Sequence, residues 1–266
     1  MEGIQEEVDY FADSSVDPAA QEVKKLLHYI RFEKTSEREY PNGIRDKGRG
    51  RMELSDFMGN KKVKEATLTE AEVVSIRLYT TIAYQFMNEP LRDDEQYDRG
   101  EQCPLAVTTH FAWMGIKKLR ALRAEKNTDG MTLWRGMRNV EIAHDSVFMQ
   151  RGGTEMAFMS TTQDLKVAVR YCLSQQSLLF KIVSPNFMTM GADVQWLSAF
   201  PNEAEILYPP LTYLKPTGRR QVNECVCYPS LLLGPCMLLT QSRCRRWRSS
   251  GRGCTIYSLW SRSTPS

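Results

Sequence analysis

Five short apolar runs decide the fold class: MTLWRG at Met131–Gly136, EMAFMST at Glu155–Thr161, SLLFKIV at Ser177–Val183, EILYPP at Glu205–Pro210 and LTYL at Leu211–Leu214. Each is rich in branched and aromatic residues, too short for a helix and bounded by polar or Gly/Pro-containing segments, which predicts strands. A helix over about Asp164–Leu173 and a turn near Gly191–Ser198 interrupt them.

Upstream of Met131 the period changes to that of helices. Thr69 and Glu72 form a capping box ahead of VVSIRLYTTIAYQFM, a helix expected to end before Pro90. Another is expected from Pro104 to about Lys126, with Leu105, Ala112, Ile116, Leu119 and Leu122 facing inward and a turn at Asn127–Gly130. Asp17-Pro18 supplies an N-cap carboxylate and a first-turn proline, and Val23, Leu26, Leu27 and Ile30 then make one buried stripe. Residues 33–66 are polar and rich in Gly, Lys and Arg, which reads as a solvated surface connection. Helices followed by many short strands make an α+β unit. The expected divisions are 1–66 (first helix and polar connection), 67–217 (a helical part 67–126 and a β core 127–217), and 218–266, an Arg- and Cys-rich tail. In that tail, part of Gln221–Tyr228 either supplies a substitute edge strand or leaves the edge open, with no packing expected from about Pro229 onward.

The tail differs sharply from the rest. From Gly218 onward there are eight Arg, one Glu and no Lys or Asp, so +7 of charge sits on the tail and about −4 on the remainder of a chain whose net charge is +3. Cys225, Cys227, Cys236, Cys244 and Cys254 crowd the tail, against only Cys103 and Cys172 before it. The change of composition resembles translation through a retained intron or a shifted reading frame. With no paired CxxC and no His after His144, zinc is not expected. The acidic start MEGIQEEVDYF lacks the basic and apolar regions of a signal peptide, and YPSLLLGPCMLL is too short to span a bilayer. A cytoplasmic protein without membrane attachment is the expectation. Nucleic-acid binding by the basic tail is not expected either, since tails of this kind are more often disordered.

Three segments carry candidate chemistry. LWRGMRN puts Arg135 and Gly136 at the end of a strand; FMSTTQD puts Ser160, Thr161 and Thr162 at the end of another; FPNEAEILYPP puts Glu203 and Glu205 where a loop enters a third. Taken singly, these read as a surface charge, a helix N-cap with Thr162 capping, and two carboxylates brought to one strand face by period-two geometry.

In this order and spacing, Arg135 to Ser160 to Glu205, they resemble the arginine–serine–glutamate mono-ADP-ribosyltransferases. The resemblance spans about Leu68–Pro216, and its most specific part is EAEILYPP. It implies a helical N-terminal portion packed on a mixed two-sheet β core that holds a NAD cleft. It also implies NAD as co-substrate, no metal, and a protein bearing an exposed arginine as acceptor. Arg135 would hold the phosphate and ribose side of NAD, with a fork that suits phosphate better than lysine does. The Gly136 backbone would approach the nicotinamide. Ser160 and Thr161 would line the nicotinamide ribose, with Ser160 also bracing the arginine. Glu205 would bind the ribose 2′-hydroxyl and stabilise the positive charge that develops as nicotinamide leaves. Glu203 would orient and deprotonate the acceptor; relatives with Glu there are arginine-directed, those with Gln modify other side chains. Thr162 stands where a serine is commoner, and the sequence after PPLTYLKPTG departs from the family. Two alternatives share the motif: a NAD glycohydrolase, with water as acceptor, and a NAD-binding module impaired by the altered C-terminus.

Overall fold

The computed structural model describes the chain except residues 97, 125–129, 144–145, 175, 185–188, 225–252 and 264–266, so the expected end of the long helix at Lys126, most of the following turn and four tail cysteines lie outside the described residues. The N-terminal part is helical: α1 (Glu2–Ser14), α2 (Pro18–Phe32), α3 (Leu54–Met58), α4 (Lys61–Glu65), α5 (Glu70–Leu78), α6 (Tyr84–Arg92) and α7 (Ala106–Ala124), with a small hairpin of β1 (Arg38–Tyr40) and β2 (Gly43–Arg45). The Asp17 carboxylate caps α2 through the amide of Ala19, and Thr69 and Glu72 close a capping box on α5. A π-helical turn, Tyr79–Ala83, joins α5 to α6; Thr81 leaves helical angles there, and its hydroxyl donates back to the Leu78 carbonyl at 2.6 Å. The helix expected to stop before Pro90 runs through it to Arg92.

The strands are β3 (Met131–Arg138), β4 (Gly153–Glu155), β5 (Met159–Thr162), β6 (Gln176–Ser184), β7 (Ala192–Asp193), β8 (Glu205–Tyr208), β9 (Thr212–Glu224) and β10 (Gly253–Ser263); helices α8 (Val147–Arg151) and α9 (Leu165–Cys172) interrupt them. Their order is β4-β9-β10-β6-β3-β5-β8-β7. A single residue pair, Trp134 with Thr162, joins β3 to β5, whereas β3 and β6 pair over eight residues and β5 and β8 over four. The ladder therefore acts as a five-stranded and a three-stranded sheet meeting at one point, which is the two-sheet α+β core the motif implied.

Two cores flank the three-stranded sheet. Met159, Ile206 and Tyr208 pack with Leu133, Phe180 and Ile182 of the larger sheet, while Phe158, Ala192 and Leu207 pack with the helices. This alternation follows from the period of two along β5 and β8.

Two expectations need correcting. Residues 33–66 are not a solvated connection. Phe57 and Val63 are core residues, and Asp46 is fully buried. The Asp46 carboxylate accepts from the Tyr29 hydroxyl at 2.9 Å and pairs with Arg77 at 3.3 Å and Arg49 at 3.2 Å, with Arg45 at 3.9 Å. Arg45 also lies over the rings of Tyr29 and Tyr40, and Arg77 over Phe57. Charges that looked like a solvated run are instead folded onto aromatic faces, which guanidinium tolerates through its weak hydration and planar shape. Nor does all of the tail after Pro229 stay unpacked. β9 continues past Gly218 to Glu224, and β10 inserts between β9 and β6, antiparallel to one and parallel to the other. The alternating CTIYSLW of β10 carries a strand signal that the Arg-rich composition around it hid.

Replacing Asp46 with Asn keeps the volume and leaves three guanidinium groups without their counter-charge. Breaking a buried ion pair from one side costs about 3–5 kcal/mol, so urea unfolding of Asp46→Asn should show a loss of that size. A loss under 1 kcal/mol, the range of exposed pairs, would mean that the cluster is solvated after all.

Candidate active site

The sheets part beyond the Trp134–Thr162 bridge, and the candidate residues collect at that point. β5 and β8 pair in antiparallel register with Thr162 opposite Glu205 and Ser160 opposite Leu207, so Ser160 and Glu205 are diagonal neighbours. The Ser160 hydroxyl donates to Glu205 Oε1 at 2.7 Å. Arg135 donates Nη1 to the Ser160 carbonyl at 2.8 Å, so that a side chain, not a backbone amide, joins β3 to β5 there. Arg135, Ser160 and Glu205 thus form one connected chain.

Glu205 is 7% exposed. Burial holds its carboxyl above the usual carboxylate range, and the hydroxyls of Ser160 and Ser198 pull it back down by stabilising the charged form. Glu203 stands apart from it. Pro201–Glu203 is a single 3-10 turn, and Ala204 has φ +46°, in the left-handed region. The two glutamates therefore do not share a strand face: only Glu205 belongs to β8, and the Ala204 turn separates the side chains. Left-handed backbone at a residue with a Cβ costs about 1–2 kcal/mol, and such strain collects at functional turns. Burial, the main cause, together with the nearby Glu205 charge, pushes the Glu203 carboxyl up to about 7, against a hydrogen bond from the Tyr171 hydroxyl to its Oε1 at 2.8 Å.

Other expectations change in detail. Gly136 needs its missing side chain for packing: a Cβ there would lie 2.0 Å from the Ala168 carbonyl oxygen on α9. Thr161 is buried on the opposite face of β5 from Ser160, with its hydroxyl donated to the Ile206 carbonyl at 2.7 Å, so it is not presented to a ligand. Thr162 does not cap α9. Asp164 does, through the Lys166 amide, while the Thr162 hydroxyl donates to the Glu203 carbonyl at 2.5 Å and accepts from the Asp164 amide at 3.0 Å.

Several groups escaped the sequence reading. Arg92 donates Nε to Glu155 at 2.9 Å, and Arg135 Nη2 lies 4.0 Å from the same carboxylate. Two guanidinium groups around one carboxylate leave a net positive charge beside Ser160, since arginine stays protonated in proteins; burial lowers the Arg135 pKa, against the pull of Glu155. This donor set fits a dianionic diphosphate. Tyr79, 3% exposed, opens the π-helical turn, and burial raises its hydroxyl pKa, with the Glu205 charge adding to this rise and the Asn88 hydrogen bond and the Arg135 charge opposing it. Its hydroxyl accepts from Asn88, whose carbonyl accepts from the Phe158 amide just ahead of β5. Isolated π turns are frequent at functional sites, and the doubled Thr80-Thr81 after Tyr79 was a faint signal of an irregular helix.

Comparison with known proteins gives the family. Residues 56–222 match the model of the ADP-ribosyltransferase exoenzyme family, well over half of the chain. The ADP-ribosyltransferase toxin AexT of Aeromonas salmonicida is 28% identical over 158 residues, 59% of this chain, and the match spans 29% of that protein's length. Among solved structures, the ADP-ribosyltransferase HopU1 of Pseudomonas syringae pv. Tomato DC3000 superposes with a TM-score of 0.51 at 15% identity, covering 90% of this chain and 97% of that one. Exoenzyme S of Pseudomonas aeruginosa, solved with human 14-3-3 protein beta and carba-NAD, gives 0.47 at 20% identity, covering 78% and 80%. No helix among the described residues is long and apolar enough to cross a membrane. ADP-ribosyltransferases take NAD as co-substrate, and this chain, by its family match over residues 56–222 and its α+β fold, belongs to the ADP-ribosyltransferase exoenzyme family.

Proposed function

We propose that the chain transfers ADP-ribose from NAD to an arginine side chain of a protein acceptor, releasing nicotinamide. The observation that carries this reading is the pair of unlike carboxylates: Glu205 fixed by the Ser160 hydroxyl on a strand, and Glu203 on the neighbouring turn with its carboxyl near 7. NAD supplies a neutral leaving group and, as it departs, a positive charge growing on the ribose. Arg135 and Arg92 hold the diphosphate end. Glu205 takes the ribose hydroxyl, and its charge gains strength as the ribose becomes cationic. Burial keeps water from screening that interaction.

The acceptor step falls to Glu203. A guanidinium has a pKa above about 12 and offers no lone pair until a base orients it and removes a proton. A carboxyl poised near 7 is a better base than one near 4, because it takes the proton more readily while still ionised at neutral pH. Tyr171 fixes its direction. Hydrolysis is the competing outcome, with water in place of the guanidinium, and the glutamate variants separate the two.

Glu205→Gln should reduce both arginine transfer and NAD hydrolysis by about 10²–10³ while NAD binding stays nearly intact. Glu203→Gln should abolish transfer and leave part of the hydrolysis. Equal losses of both activities in Glu203→Gln would show that the two carboxylates do not divide the work as proposed.

Arg135→Lys keeps the charge and loses the fork, which should weaken NAD binding about ten-fold by calorimetry. Unchanged affinity would remove Arg135 from the NAD site.

Transfer should also follow the Glu203 ionisation. The base form grows as pH rises through about 7, so the transfer rate should climb there and level off above it. The Tyr171 hydrogen bond favours the charged form, hence Tyr171→Phe should move the midpoint to higher pH and keep the plateau within about three-fold. A midpoint that stays put, or moves down, would contradict the assignment of Glu203 as base. The titrating and charged groups around it are Tyr171, Arg170 and Glu205.

A further inference from the structure

The turn that leads into the glutamate pair is gripped from the helical part of the molecule. Residues 195–198 form one tight turn in which the amides of Leu197 and Ser198 both donate to the Val194 carbonyl at 2.8 Å. Their own carbonyls, like those at the end of a helix, have no partner within the turn and gather negative charge on one side. Two guanidinium groups take all four. Arg49 donates Nη2 to Gln195 at 2.8 Å and to Ser198 at 2.5 Å, and Nη1 to Trp196 at 2.7 Å; Arg77 donates Nη1 to Leu197 at 2.9 Å. The next carbonyl, that of Ala199, accepts from the Asp46 amide at 2.6 Å, and the Ala199 amide donates to the Thr80 hydroxyl at 2.8 Å.

This grip reaches the site through one residue. Ser198, 1% exposed, has its carbonyl on Arg49, and its hydroxyl oxygen accepts, at 3.1 Å, the amide of Phe200, the residue that caps the Pro201–Glu203 turn and whose carbonyl accepts the Glu203 amide at 3.0 Å. Asp46 sits behind as the counter-charge of both guanidinium groups. Burial lowers the Arg49 pKa to about 10, which leaves it charged at neutral pH.

We propose that Arg49 and Arg77 are positioning residues for the ADP-ribosyl transfer, acting through the 195–198 turn to set the Pro201–Glu203 turn and with it Glu203. Glu205 is paired along β8 and keeps its strand without them; the start of the strained turn at Ala204, and so the placement of Glu203, depends on them. Small displacements of such a group cost much in rate and little in substrate affinity.

The inference rests on the proposed transferase reading, and the experiment separates the two. Wild type, Arg49→Ala, Arg49→Lys and Ser198→Ala of the whole chain are compared for nicotinamide release from NAD in the presence of an arginine-bearing acceptor, and by amide hydrogen exchange for local order. Arg49→Ala should lower kcat about 10–100-fold with KM for NAD within about two-fold. It should also raise exchange at residues 195–204 while β3 and β5 stay protected. Arg49→Lys, which restores a charge and part of the hydrogen bonding, should recover part of kcat. Ser198→Ala leaves the grip in place and should lower kcat alone, so it decides the matter where Arg49→Ala does not fold. Active wild type with unchanged kcat in Ser198→Ala, or exchange in Arg49→Ala that rises evenly over the whole protein, would overturn the positioning role. A wild type that releases no nicotinamide would instead defeat the transferase reading, with the exchange at 195–204 still testing the grip.

Discussion

The hydrogen bond from Ser160 to Glu205 is the constraint around which the rest is arranged. A carboxylate 7% exposed needs donors to stay ionised. Meeting that need takes two strands in fixed register, because a slip of one residue would turn Ser160 and Glu205 to opposite faces. The register is held by the cores on either side of the three-stranded sheet. The same serine offers its carbonyl to Arg135, so the point where the two sheets separate is bridged by a cation and not by a continuous ladder. A sheet junction with a carboxylate on one side and a cation on the other follows from that single departure from regular pairing.

The two glutamates illustrate how local backbone geometry divides labour. Glu205 is built into a strand and bonded on its side chain, which makes it rigid. Glu203 is two residues away, yet the left-handed Ala204 puts it on a turn and points it toward α9, where Tyr171 meets it. In the proposed reaction, rigid placement suits a group that must match a charge developing at a fixed sugar. A turn suits a group that must meet an incoming side chain. The positively charged side chains are divided in the same way. Arg135 and Arg92 gather around Glu155, whereas Arg49 and Arg77 are bonded to carbonyls and to Asp46.

Much of this was legible in the sequence where a pattern reports a local preference. The capping box at Thr69 and Glu72, the proline at the start of α2 and the strand runs at Met131, Ser177 and Glu205 all state their structure within a few residues. Burial of Asp46 was not legible, because charge runs are read as solvated and nothing nearby in sequence announces that Tyr29, Arg77 and residues 195–199 will cover them. The Glu203–Glu205 relation was misread for a related reason: period-two geometry holds only inside a strand, and Ala204 gives no sign of a positive φ. Thr161 shows the converse, since the alternation of β5 already implied that it and Ser160 face opposite ways. The pairing of β10 between β6 and β9 joins residues about 80 apart in sequence, and composition alone argued against it.

The most direct test of the account is to identify the side chain that carries ADP-ribose. The purified chain would be incubated with NAD and a protein acceptor rich in exposed arginine and lysine, and the adducts mapped by mass spectrometry alongside nicotinamide release. The account predicts adducts on arginine, lost in Glu203→Gln. Nicotinamide release with no adduct, or adducts on residues other than arginine, would contradict it.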